Sequence, residues 1–549
     1  MRVAVPVTSI RGSASWQKPW LALAQVLLLA ATFVLPLLYL RNKSVTTDEV
    51  THLPAGYSYF LRKSIVYNPQ HPPLIKEICA LPLLFMDVKV PTDFPQDEWA
   101  FGQDFLFNQD AQRMLFWARI PVVLMSLGLA WVVMTWAGKL WSSGAGLLAL
   151  FLYALDPTIT AHAQFVTTDV GLAFFSTLYL FQLRSCLKDA SWKRWGITGA
   201  LLGLALGTKF SALILLPITP VLMVLASLQT ASTSDVRTSS GSAAMPSRPQ
   251  HTTWKSEITV RLLGFALLLA IACLVLWMLY FLSTDPSIYW KGLRAVNEDH
   301  KNLHPYLLGT IKEDGWKSYF LIAWLVKTPI PVLILSGATI SLFLGGLRKN
   351  SLEETFLLLP AVSYFLVYSL FADNLGIRYL IPCFPLLFIF VSRIATTVAG
   401  SSKLLKTALA ALLLWHAAEY ALIAPDHLSY FNQIAGGFEN GVRWLDDSNV
   451  DWGQGLIQLR DYLEANGIRN YRLFYFGMGD PKYYGVTGDR IWDSRFFLDP
   501  SPGTYVLSAH RVARGHAVLR LAYGEGPKNW LLHRRPSAIV GHAYYLYGF

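Results

Sequence analysis

Long apolar runs alternate with short polar or basic stretches along this chain, and the alternation predicts about eleven membrane-crossing helices. Trp20–Leu40 is the first, preceded by Arg2, Arg11 and Lys18 and followed by Arg41-Asn42-Lys43 with no small-residue cleavage site, so it reads as an uncleaved anchor with a cytoplasmic N-terminus. Residues 41–115 are too polar to span and form a large outer loop. Phe116–Ala137, Leu140–Leu155 and Asp169–Leu187 follow as spans, with Asp156–Thr168 as a short outer turn. As one helix, Gly196–Ala226 would be about 46 Å long against a bilayer core of about 30 Å, with Lys209 near its middle. A break at Gly207-Thr208-Lys209 is therefore expected, giving two short spans with Lys209 at the outer surface. Residues 228–258, rich in Ser, Thr, Ala and Pro, then read as a disordered cytoplasmic linker. Leu262–Leu282, Ser318–Leu344, Phe356–Phe371, Tyr379–Val398 and Leu404–Ile423 complete the set, with Ser283–Lys317 as a second long outer loop. Lys139, Lys188, Lys193, Arg348, Lys349, Lys403 and Lys406 all fall in inner loops on this count, which puts the C-terminal region outside.

The C-terminal region, 425–549, has a different texture. Asp451 followed by Gln454 resembles a capping box for a helix to Ala465, with Asn466-Gly467 ending it. Tyr471–Phe476 and Thr504–Ser508 read as strands. The expected fold is thus an all-α polytopic membrane domain, 1–424, carrying a small extracytoplasmic α/β domain, 425–549.

Composition supports this. Only 15% of the 549 residues are charged and 53% are hydrophobic, with mean hydropathy +0.38, whereas soluble domains average about 25% charged. The net charge of +11 sits between spans, which points to membrane lipids as partners and away from nucleic acid. The cysteines, Cys79, Cys186, Cys273 and Cys383, form no disulfide framework or zinc motif.

The chemistry-bearing stretch is Thr46–Lys76, directly after the first span. Asp48 and Glu49 are adjacent acids at the membrane surface, and His52 shares a helical face with Asp48. Asn68-Pro69 and His71-Pro72-Pro73 force extended backbone before a short amphipathic helix, Leu74–Phe85. A structural reading of the acids as helix caps competes with a functional one. Asp169 tips the balance: it stands at the outer end of another span, and each acid site is flanked by a histidine, His52 or His162. Lys76, Lys209 and Arg378 are cations on the same face. Carboxylates take a proton from an acceptor hydroxyl, and cations stabilise a leaving phosphate. Asp446, Asp447 and Asp451 suggest a metal cluster, although capping and turn formation explain them better; a divalent metal ion stays open as a cofactor.

These residues carry a resemblance. Asp48-Glu49, His71-Pro72-Pro73-Leu74, Ala161-His162 to Asp169, Gly207-Thr208-Lys209 and Arg378-Tyr379-Leu380 resemble the GT-C membrane glycosyltransferases that use polyprenyl-phosphate sugars. Within these the resemblance is to the protein O-mannosyltransferase and lipid A aminoarabinose transferase group. The Asp451-Trp452-Gly453-Gln454 region resembles the outer C-terminal extension of bacterial members. The resemblance implies an inverting sugar transfer at the outer face of a bacterial-type plasma membrane. It implies Asp48 as base, Glu49 in support and Asp169 as a second acid. His52, His71, Lys76, His162, Lys209, Arg378 and Tyr379 would bind substrate. The partners would be a polyprenyl-phosphate-linked sugar and a lipid, glycan or protein acceptor. A polytopic transporter or flippase, or a surface-polysaccharide polymerase or ligase, are the rival readings.

Overall fold

The computed structural model describes residues 19–91, 95, 97–239, 254–299, 304–345 and 351–549. All eleven expected segments contain helix, from Pro19–Tyr39 to Lys403–Ile423. Among the described residues six helices are long and apolar enough to cross a bilayer, or seven if one bent pair counts as a single span. Others, such as Ser143–Ala154 and Cys383–Ala399, are shorter apolar pieces packed within the bundle. The chain is an integral membrane protein.

The break in 196–226 is where a lysine in an apolar run requires it. Helix Trp192–Leu206 stops, Gly207 to Lys209 leave the helical path, and a 3₁₀ turn, Phe210–Ile214, leads into helix Leu215–Ser239. The expected linker is different in outline: helix Leu215–Ser239 enters it from one side and helix Trp254–Leu279 from the other, while 240–253 lie outside the described residues. The span expected at Ser318–Leu344 is broken. Helices Tyr319–Lys327 and Ile330–Leu344 meet at 115°. Pro329 has no N–H to continue the first helix, and Thr328 before it is extended, as a pre-proline residue should be.

The expected outer loop after the first span is mostly helical, in Thr47–Arg62, Leu74–Ala80 with a 3₁₀ continuation to Phe85, and Glu98–Phe107. Helix Leu74–Ala80 crosses Thr47–Arg62 so closely that a Cβ on Gly56 would collide with the Lys76 carbonyl oxygen. The C-terminal region holds a five-stranded sheet in the spatial order Asp489–Arg490, Arg472–Phe474, Thr504–Ser508, Tyr544–Gly548, Ala538–Val540. The first three strands are parallel and the last two pairings antiparallel. Helix Leu456–Ala465 forms as expected and ends at Asn466, with Gly467 at φ +64°. Its expected capping box does not form: Gly455 is the N-cap, Asp451 instead accepts from the Gly453 N–H and Gln454 from the Trp452 N–H.

The two regions interlock where the first span ends. Lys43 pairs with Asp426, the Ser44 hydroxyl donates to the Gly453 carbonyl (2.8 Å), and the Thr47 N–H donates to the Trp452 carbonyl (3.0 Å). Lys327, at the bend, is buried and donates to the carbonyls of Leu428 (2.7 Å) and Asn449 (2.6 Å). Segment 425–454 is thereby fastened over the same end of the bundle that carries Asp48 and Asp169.

Candidate functional site

Helix Thr47–Arg62 divides the two adjacent acids. Glu49 faces inward and is fully buried. Its carboxylate takes a bidentate pair from Arg119 (2.8 and 2.7 Å), the Thr46 N–H (2.9 Å) and hydroxyl (3.0 Å), and the Val166 N–H (2.9 Å). Every lone pair is used, and the carboxylate ties Arg119, Thr46 and the Val166 loop together. His52, one turn on, holds the same loop through Nδ1 and the Val166 carbonyl (3.1 Å). Glu49 and His52 together pin Val166, three residues before Asp169, to the helix that carries Asp48.

Asp48 faces the other way and is partly exposed. Its Oδ2 accepts from Arg378 Nη1 at 2.7 Å. Asp169 accepts from Lys209 Nζ at 2.7 Å and is almost fully buried. Gly376, at φ +148° and packed so tightly on Ser448 that no side chain fits, turns the chain into the 3₁₀ segment Ile377–Leu380 that delivers Arg378 and Tyr379. The Tyr379 ring lies 4.3 Å from Lys209 Nζ and 5.6 Å from the Arg378 guanidinium. The two acid–cation pairs belong to one electrostatic neighbourhood: Lys209 feels Asp169, Arg378 and Asp48, and Arg378 feels both acids.

Three histidines surround the pairs. His71 meets His52 edge to face with ring centroids 5.1 Å apart, and His162 packs on Trp452 at 5.8 Å. Burial pushes His71 well below its ordinary pKa and His162 down to about 3, so both are neutral at neutral pH. Arg378 Nε, Asp169 Oδ2 and His162 Nδ1 are buried and have no hydrogen-bond partner among the described residues. Buried polar atoms are rarely left so, and here two belong to charged groups facing each other's field.

Lys76 is placed otherwise than expected. Its ammonium is fully buried and is enclosed by the Tyr59 hydroxyl (2.8 Å), the Asn68 carbonyl (2.5 Å) and amide oxygen (3.2 Å), and the His71 carbonyl (2.8 Å). Burial pushes it down to about 7 against the pull of Glu98 and Glu77. Its bonds hold the turn that presents His71. The three C-terminal acids diverge as well. Asp446 holds Arg514 (2.6 Å), Asp447 bonds the Ser448 N–H (2.6 Å) and Asp451 the Gly453 N–H (2.9 Å). Among the described residues no three His, Cys, Asp or Glu side chains converge as metal ligands.

Arg119 escaped the sequence reading, and Trp452 and Asp447 were named there without a place at this site. Arg119, which saturates Glu49, was signalled as a charge inside a long apolar helix, Ala111–Leu140. Trp452 lies under the Arg378 guanidinium at 4.5 Å. Asp447, in the left-handed region at φ +53°, feels both Arg378 and Asp48. The sequence marks both within short motifs, but they reach Arg378 and Asp48 only through the fold of the C-terminal region.

Residues 107–239 match the family model described as dolichyl-phosphate-mannose-protein mannosyltransferase. The matched stretch contains Arg119, His162, Asp169 and Lys209. No curated protein matches the chain by sequence. Among solved structures the chain is similar to ArnT from Cupriavidus metallidurans bound to undecaprenyl phosphate, at 14% identity and TM-score 0.47, covering 96% of this chain and 97% of that one. It is also similar to the oligosaccharyltransferase AglB from Archaeoglobus fulgidus in complex with an inhibitory peptide and a dolichol-phosphate, at 12% identity and TM-score 0.45, covering 93% and 73%. The Pmt1–Pmt2 complex of S. cerevisiae bound to the sugar donor gives 14% identity and TM-score 0.35, covering 53% and 38%.

Proposed function

We propose that the chain is an inverting glycosyltransferase that moves a sugar from a polyprenyl-phosphate donor to an acceptor hydroxyl at the outer face of a bacterial-type plasma membrane. The observation that carries the reading is the pairing of two acids with two cations at one end of the bundle, Asp48 with Arg378 and Asp169 with Lys209. A family match named for dolichyl-phosphate-mannose donors supports it.

The roles follow from exposure and charge. Asp48 is the more open acid, and Arg378 bonds only its Oδ2, leaving Oδ1 clear of the guanidinium. It takes the proton from the acceptor hydroxyl as the oxygen attacks the anomeric carbon from the face opposite the phosphate. The bond between that carbon and the phosphate oxygen breaks, and the electron pair leaves with the phosphate, inverting the centre. Arg378 and Lys209 meet the charge that develops there, where fixed cations act without reorganising. Asp169 keeps Lys209 charged and oriented, and its free Oδ2 is available to a sugar hydroxyl. Tyr379 and Trp452 hold the two cations in place through their ring faces.

Purified protein in sealed vesicles, given a radiolabelled polyprenyl-phosphate hexose and a mixture of envelope acceptors, should release polyprenyl phosphate and label an acceptor. Passage of intact label across the bilayer with no released phosphate would make the chain a transporter instead.

A further inference from the structure

A cavity lies in the C-terminal region, away from the paired acids. It measures about 710 Å³ and is continuous in its lining with a smaller one of about 140 Å³, since Arg443, His516 and Leu532 border both. Its charge is one-sided. Arg443, Arg520, Arg534 and Arg535 line the two cavities against Glu439 and Glu525. Among the described residues the side chains of Arg443 and Arg535 have no ion-pair or hydrogen-bond partner, and both are exposed. The floor is aromatic, with Phe438, Tyr545 and Tyr547. His516 is only 7% exposed, borders both cavities and makes no hydrogen bond to a described residue. Burial and Arg443 push it down to about 4, so it offers a neutral ring with one donor and one acceptor.

Unengaged arginines select planar carboxylate or tetrahedral phosphate oxygens. Aromatic rings beside polar groups suit the alternating apolar and hydroxyl faces of a saccharide. An imidazole that borders the groove and makes no hydrogen bond to a described residue fits a sugar hydroxyl. We infer that this groove binds a saccharide bearing carboxylate or phosphate groups and seats the acceptor of the transfer, the latter part resting on the function proposed above. The route to the paired acids is structural. Helix Ala509–Tyr523 turns Val512, His516 and Arg520 toward the groove at steps of four, and on the same helix His510 Nδ1 accepts from the Asp447 N–H (3.1 Å) while Arg514 holds Asp446 (2.6 Å). Segment 438–447 likewise runs from the groove at Phe438 and Arg443 to Asp447 beside Arg378.

Calorimetric titration of the full chain in bilayer discs tests this with trigalacturonate, mannose 6-phosphate, neutral maltotriose and inorganic phosphate. The charged saccharides should bind, maltotriose should not, and Arg443→Gln with Arg535→Gln should weaken binding about tenfold or more. Both positions are exposed, so the variants should fold. Equal binding of maltotriose, binding of inorganic phosphate as tight as mannose 6-phosphate, or binding unchanged in the double variant would each overturn the inference. Repeating the titration in Asp48→Asn reads the groove with no sugar transferred. Binding that persists there while wild-type protein transfers nothing would sink the transferase reading and leave the groove standing.

Discussion

Asp48 accepts a 2.7 Å hydrogen bond from Arg378 across 330 residues of chain, while its neighbour Glu49 is bound on the opposite side by Arg119. Both acids are ion-paired, but one helical step separates a partly exposed carboxylate from one that is fully buried with every lone pair taken. On the function proposed above, this difference makes Asp48 the group that moves the proton.

Asp48→Asn keeps shape and hydrogen bonding to Arg378 but cannot accept a proton. Base catalysis is typically worth about 10²–10⁴-fold. Turnover should fall within that range while polyprenyl-phosphate binding survives. Near-normal turnover in this variant, with the loss appearing in Asp169→Asn, would transfer the base to Asp169.

Lys209→Met and Arg378→Met should weaken donor binding, each by about tenfold or more for a lost charge-assisted contact to phosphate. Arg378→Lys should restore little, because a lysine cannot both reach Asp48 and lie flat on Trp452. Donor titrations showing unchanged affinity in both methionine variants would remove the phosphate assignment.

Arg119→Met should act on the fold. It strands the fully buried Glu49 carboxylate, a loss of about 3–5 kcal/mol when one partner of a buried pair is removed. Thermal unfolding should occur well below the wild-type temperature, and whatever protein remains folded should bind donor with ordinary affinity. A stable variant with lost donor binding would instead make Arg119 a ligand for substrate.

His510 supplies a pH-dependent element at the rim of the site. Burial, with Arg514 and Arg511 adding to it, holds its pKa well below 6.5, and its Nδ1 accepts from the Asp447 N–H. The unfolded chain takes up this proton near pH 6.5 and the folded chain does not. This group therefore favours unfolding progressively as pH falls below about 6.5. His510→Gln has an acceptor that does not titrate. Its Tm should drop less than that of the wild type between pH 7 and pH 5; parallel Tm curves would count against the assignment.

The positive-inside pattern of the loops leads us to expect the C-terminal region outside the cytoplasm. A reporter active only outside the cytoplasm, fused after Phe549, should work. An inactive one would undo the grouping of Asp48, Asp169 and Lys209 on the outer face.

Much of this protein follows from local rules that the sequence carries by itself. Apolar runs set the helical segments, because each residue's transfer free energy is its own. Lys209 in the middle of such a run required the break that the backbone makes. Thr504–Ser508 is a strand over the residues its pattern marks. Pro329 could have been read the same way, and the bend at Thr328 shows what its missing N–H does. The division of labour among like residues was decided only by tertiary structure. Asp48 and Glu49 have the same chemistry and adjacent positions, and helix geometry says only that they point apart. Which of them meets a closed cage and which an open site depends on Arg119, 70 residues away, and Arg378, 330 away. Lys76 and Lys209 divide in the same manner, one enclosed by carbonyls of its own loop and one laid between Asp169 and Tyr379. A charge in an apolar setting must find a partner, and the sequence announces that need; the identity of the partner is a property of packing between segments distant in the chain.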